Sequence, residues 1–168
     1  MDSSPILDLV RAATSLREVY FGIRFFPPFR VVPGHISLSQ NTSLETLIIG
    51  IVYLVWEPFG VPDFGWLPDT LKDIASTCFR QFKIQIRIEN TTQFSYIPWG
   101  RIDGILCCPE FPSFRQLTIE LCSRSSMPWR GLEYEGELSA NEVLPVARRY
   151  LPNLAARGAL TVIETPPS

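Results

Sequence analysis

Apolar and polar positions alternate along this chain in one pattern that occurs four times. It reads Leu16-x-x-Val19-x-Phe21-x-Ile23, Leu44-x-x-Leu47-x-Ile49-x-Ile51, Phe79-x-x-Phe82-x-Ile84-x-Ile86 and Phe114-x-x-Leu117-x-Ile119-x-Leu121, at intervals of 28, 35 and 35 residues. The period of two within each copy predicts a strand with one apolar face. Recurrence at a fixed spacing of roughly 20 to 50 residues marks stacked supersecondary units. The intervening positions then point the other way: Glu18, Tyr20 and Gly22; Thr46, Ile48 and Gly50; Gln81, Lys83 and Gln85; Gln116, Thr118 and Glu120.

Segments of helical spacing precede the strands. Ile6, Leu9, Val10 and Ala13 mark one face of a short helix after Ser4-Pro5, an N-cap residue followed by a first-turn proline. Asp69 to Cys78 is predicted as a second helix, opened by Pro68, with Leu71, Ile74 and Ala75 facing inward. Pro98 to Cys107 forms a third, with Trp99, Ile102, Ile105 and Leu106 apolar; Ala140 to Tyr150 a fourth, with Val143, Leu144, Ala147 and Leu151. The last unit keeps only Leu160 and Val162 after Gly158, as a terminal cap would. Proline, glycine and aromatic residues fill the loops Phe25–Pro33, Glu57–Pro68 and Cys122–Gly136.

A strand and a helix alone cannot bury their apolar faces, whereas units stacked side by side can. The predicted fold class is therefore α/β: a β/α solenoid of about five helix–strand units with a parallel sheet. The units fall near residues 5–24, 36–55, 67–88, 98–122 and 140–164 of a single repeat domain spanning 1–168. A single compact α/β domain with the same element order is the competing arrangement.

The segments Trp66-Leu67-Pro68-Asp69-Thr70-Leu71, Trp99-Gly100-Arg101-Ile102-Asp103-Gly104-Ile105-Leu106 and Phe111-Pro112-Ser113-Phe114-Arg115-Gln116-Leu117-Thr118-Ile119 follow in order. With Leu151-Pro152-Asn153-Leu154 and Arg157-Gly158-Ala159-Leu160-Thr161-Val162, the chain resembles the carboxy-terminal region of uncharacterised F-box/leucine-rich-repeat proteins of mushroom-forming fungi. The resemblance implies a leucine-rich-repeat-like solenoid that holds a protein target. In such proteins an amino-terminal F-box recruits the Skp adaptor of a cullin ubiquitin ligase. Here the first unit starts within a few residues of Met1, so the repeats are expected without the F-box.

Composition narrows the function classes. Of 168 residues, 46% are hydrophobic and 19% charged, a globular profile that excludes a disordered chain. A net charge of −2, with only Arg148-Arg149 as a basic run, argues against nucleic-acid binding. No apolar stretch reaches the roughly 18 residues that span a bilayer, and Met1-Asp2-Ser3-Ser4 lacks the basic start of a secretory signal. An intracellular protein, cytoplasmic or nuclear, is expected, with no membrane partner. Cys78, Cys107, Cys108 and Cys122 show no paired metal-ligand spacing and read as buried, reduced thiols, so no metal or cofactor is expected. The sequons Asn41-Thr42-Ser43 and Asn90-Thr91-Thr92 read as chance matches.

Chemistry has few candidates. The single histidine, His35, lies in the loop-like stretch Pro33-Gly34-His35-Ile36-Ser37. A small hydrolase-like enzyme would have to use it as its base, with a nearby carboxylate or thiol. Glu133, Glu135 and Glu137 alternate on one side of an extended segment, which suits a solvated acidic edge or a cation or basic partner. Trp66 and Trp99 begin helices and read as core; Trp56 and Trp129 lie in or near loops and read as recognition residues. The expected function is a non-enzymatic protein-interaction module binding a protein through Tyr20, Ile48, Lys83, Arg87, Thr118, Glu120, Trp56 and Trp129, with a non-functional truncated paralogue as the remaining alternative.

Overall fold

The computed structural model describes residues 15–22, 37–53, 63–122 and 138–165. Five strands run through them: β1 (Glu18–Gly22), β2 (Thr46–Tyr53), β3 (Gln81–Arg87), β4 (Gln116–Leu121) and β5 (Leu160–Glu164). They form one sheet in the order β1-β2-β3-β4-β5, with every neighbouring pair parallel. Four α-helices accompany it: α1 (Trp66–Lys72), α2 (Trp99–Leu106), α3 (Ala140–Tyr150) and α4 (Pro152–Ala156), with a 3₁₀ helix at Thr91–Tyr96. The first predicted helix, at residues 6–13, lies outside the described residues.

The register follows the recurrent apolar pattern. Val19 aligns with Leu47, Leu47 with Phe82, and Phe82 with Leu117, so the four copies occupy equivalent rows of the sheet. Through β1 to β4 one face of the sheet thereby carries apolar residues, and Leu47, Ile49, Phe82, Ile84, Leu117 and Ile119 are completely buried. Between β2 and β3 the register shifts after Ile49, and Ile86 pairs with Val52, which places a bulge at residues 50–51. The first four strands are joined, each to the next, by a shared carbonyl at the strand start. The Arg17 oxygen accepts from Glu45 and Thr46, the Glu45 oxygen from Arg80 and Gln81, and the Arg80 oxygen from Arg115 and Gln116, all at 2.7–3.1 Å. At the last joint the direction reverses, and Leu117 N–H donates to Ala159 O at 2.8 Å.

The helices pack on the apolar face in one continuous core. In α2, Trp99 stacks on Phe94 at 4.6 Å and donates its indole N–H to Phe94 O at 2.7 Å, which satisfies its only polar atom in the core. Phe79 and Phe114, the leading residues of two pattern copies, approach at 5.7 Å, and Phe111 meets Phe79 edge-on at 5.5 Å. Asp103, only 2% exposed, reaches from α2 to the first turn of α4. Its carboxylate accepts from Asn153 N–H at 3.1 Å, Asn153 Nδ2 at 2.8 Å and Leu154 N–H at 2.9 Å. It thus satisfies first-turn donors that have no partner within the helix. At α3, Ser139 N–H and Oγ both donate to Glu142 Oε2 at 2.8 Å, and Ala140 N–H donates to Glu164 Oε1 of β5 at 2.7 Å. Two carboxylates therefore face the positive end of that helix. Gly158 turns the chain from α4 into β5 at φ +66°, a backbone conformation that disfavours a side chain.

Three expectations need correction. The helix predicted over 69–78 starts earlier, at Trp66, and ends at Lys72. Ile74 still enters the core from beyond its end, but Ala75 is exposed. No helix precedes β2 among the described residues, where turns at Ser39–Gln40 and Thr42–Ser43 stand instead. Cys78 is exposed, and the other three cysteines are half-buried free thiols.

Candidate functional site: the open face of the sheet

The second face of the sheet presents the rows that alternation turned away from the core. The register sets Tyr20 beside Ile48, Ile48 beside Lys83, Lys83 beside Thr118 and Thr118 beside Thr161. Four predicted contact residues thus share one row across four strands. Arg87 lies further along β3 and Glu120 further along β4. Trp56 and Trp129, as well as His35 and the acidic Glu133–Glu137 segment, lie outside the described residues.

Tyr20 is the most exposed large apolar side chain of this face, at 57%. Its ring lies across β2 over Gly50. A Cβ on Gly50 would fall 2.2 Å from the Tyr20 hydroxyl oxygen and 2.6 Å from Cζ. Glycine at this bulge leaves a bare strip of backbone on which the ring rests. The Tyr20 ring, with half-buried Ile48 next to Tyr20 in register, makes an apolar patch at the β1–β2 end of the face.

The β3–β4 end is polar and internally bonded. Glu120 points to this face yet is 6% exposed, and it is ion-paired with Lys83. Gln85 Nε2 donates to Glu120 Oε2 and Thr165 Oγ1 to Glu120 Oε1, each at 3.0 Å. Burial pushes its carboxyl upward, but the hydrogen bonds from Lys83, Gln85 and Thr165 and the Lys83 charge outweigh that and hold it below the usual range. Glu120 is therefore a fastener for Lys83 rather than an outward contact, which corrects its expected role. Beside it, Gln116 Nε2 donates to Thr161 Oγ1 at 3.1 Å. Burial raises the Cys122 thiol above its ordinary range, so it stays protonated.

At the N-terminal rim, where the strands start, stand Arg17, Glu45, Arg80 and Arg115. Glu45 lies 3.7 Å from Arg17 and 4.0 Å from Arg80, both mostly exposed. These residues head each pattern copy, but sequence reasoning passed over them because they sit outside the strict alternation. The shared spacing after Leu16, Leu44, Phe79 and Phe114 was the signal that could have found them.

On the helical side, a shallow groove of about 750 Å³ runs between α1 and α2, lined by Ile74, Gly100, Gly104, Ile105 and Phe111 with Cys108 and Glu110. Burial and a hydrogen bond to Glu110 raise the Cys108 thiol, the reverse of what an activated nucleophile needs. Among the described residues, no cluster of three or more histidine, cysteine or carboxylate side chains could hold a metal, and no helix is long and apolar enough to cross a membrane. Asn41 of the first sequon is fully buried, while Asn90 of the second caps the 3₁₀ helix by accepting from Thr92 N–H at 3.1 Å and Gln93 N–H at 3.2 Å. No protein-family model matches the chain, and neither a curated protein nor a solved structure matches it.

Proposed function

We propose that this chain is a non-enzymatic protein-interaction module, a leucine-rich-repeat-like solenoid that docks a protein partner on the open face of its sheet. The observation that carries this reading is the exposure of that face. All-parallel sheets are ordinarily covered on both sides, yet here one side presents exposed Tyr20 and Gln81 with half-buried Ile48 and Thr118. A sheet whose strands follow chain order, with the described helices packed on one face, suits the arrangement in which solenoids bind partners. Tyrosine is also a residue type enriched at the energetic centres of interfaces. In the F-box-type reading raised by the sequence resemblance, the docked partner is the target brought for ubiquitylation.

The test is capture of partners from lysate of the source cells by wild type, by Tyr20→Ala/Ile48→Glu, and by Lys72→Glu on the helical side as a control. A partner held by wild type and control but lost from the double variant, with unchanged circular dichroism, is the expected result. Equal capture by all three overturns the site.

A further inference from the structure

We propose that the partner of the open face is an acidic, extended polypeptide segment, gripped through its carboxylates by Arg80 and Arg115 at the N-terminal rim. The inference rests on the docking role proposed above and adds the chemistry of the partner. Arg80 and Arg115 head adjacent strands. The N–H groups of Arg115 and Gln116 donate to the Arg80 carbonyl at 2.9 and 3.1 Å, which holds the two backbones side by side. Neighbouring strands lie about 4.8 Å apart, and like charges directly opposite one another oppose the pairing. Both side chains are exposed.

Their charge is left largely unanswered within the described residues. Arg115 has no ion-pair partner there, and Arg80 has only Glu45 at 4.0 Å, which Arg17 also draws on at 3.7 Å. Two guanidiniums thus share the Glu45 carboxylate and Arg115 has none, on a chain whose net charge is −2. Arg87 on β3 likewise has no ion pair among the described residues, whereas Lys83 is already answered by Glu120. On the sheet and its rim, the positive charge without an ion pair among the described residues therefore sits at Arg115 and Arg87, with Arg80 held by Glu45 at 4.0 Å. Guanidinium forks suit carboxylates, which they bind bidentately. Side chains on one side of an extended strand recur every 6–7 Å or so, close enough to the strand spacing for arginines to span. A segment laid across the strands sets acidic side chains on the rim and reaches the Tyr20–Ile48 patch at the other end.

The experiment pans a phage library of random dodecapeptides on the intact protein and measures selected peptides by fluorescence polarisation. The expected result is enrichment of peptides rich in Asp and Glu, with affinity reduced about tenfold or more by Arg80→Glu/Arg115→Glu and weakened by added salt. Arg115→Gln serves as a milder variant, expected to weaken the same peptides while leaving the thermal midpoint unchanged. Peptides without acidic bias that lose binding on Tyr20→Ala/Ile48→Glu, but not on the arginine variants, overturn the acidic partner and leave the docking face standing. Peptides unaffected by either pair of substitutions overturn both. Failure to enrich any peptide also counts against the inference.

Discussion

Replacing Glu120 by Gln tests whether the open face is held rigid by a buried charge. The side chain keeps its shape but loses the charge that answers Lys83. Exposed ion pairs contribute about 0.2–1 kcal/mol, whereas removing one partner of a fully buried pair costs about 3–5 kcal/mol. Here the Glu120 side chain is 8% exposed and that of Lys83 33%, so the stranded lysine can turn partly to water. The expected loss is about 2 kcal/mol, between those limits. A double-mutant cycle with Lys83→Met should return a coupling of about 1 kcal/mol. The acid limb gives an independent check. The folded-state pKa of Glu120 is depressed, below an unfolded value of about 4.3. Its contribution is complete above the unfolded value and is lost as pH falls through the folded one. Wild type should therefore lose more stability than Glu120→Gln when urea unfolding is moved from about pH 6 to about pH 3. A loss below about 0.5 kcal/mol at neutral pH, or identical acid limbs for the two proteins, would refute the fastener.

Two further substitutions probe the helical layer. Asp103→Ala strands the buried Leu154 N–H and removes the cap of α4, so urea unfolding should show a loss of about 2–3 kcal/mol, with Asp103→Asn losing less; a loss under about 0.5 kcal/mol would show that water replaces the carboxylate. Gly104→Ala in α2 places a Cβ where no atom lies within 4 Å. It should raise stability by about 0.5–1 kcal/mol through helix propensity alone, seen as a higher melting temperature, and a lower one would mean the groove cannot accept a methyl group.

The strands were legible because their signal is local and repeated. The spacing of Val19, Leu47, Phe82 and Leu117 anticipated the observed register at the first two apolar positions of each copy, since a one-residue slip would turn every apolar side chain to the wrong face, but not the bulge that sets Val52 instead of Ile51 opposite Ile86. The helix Ala140–Tyr150 was equally clear from the spacing of Val143, Leu144, Ala147 and Leu151, and the structure adds the cap that Ser139 and Glu142 form at its start. Helix α4 was not, because five residues carry no full period, and its start is set by Asp103, some 50 residues away. The same limit applied at the site. Alternation placed Glu120 on the open face, but its burial comes from Lys83, Gln85 and Thr165, which only the folded sheet brings together. Nor does any local pattern tell that the Tyr20 ring rests on Gly50.

The shared carbonyls at the strand starts carry a consequence for how this surface can change. Arg17, Glu45 and Arg80 each join one strand to the next through the backbone oxygen alone. The joint makes no demand on the side chain attached to it. Charge along the rim can thus be rewritten one position at a time, by evolution or by a protein engineer, without loosening the seam beneath. A scaffold whose fastening is blind to its outermost residues can be retargeted at little risk to its fold.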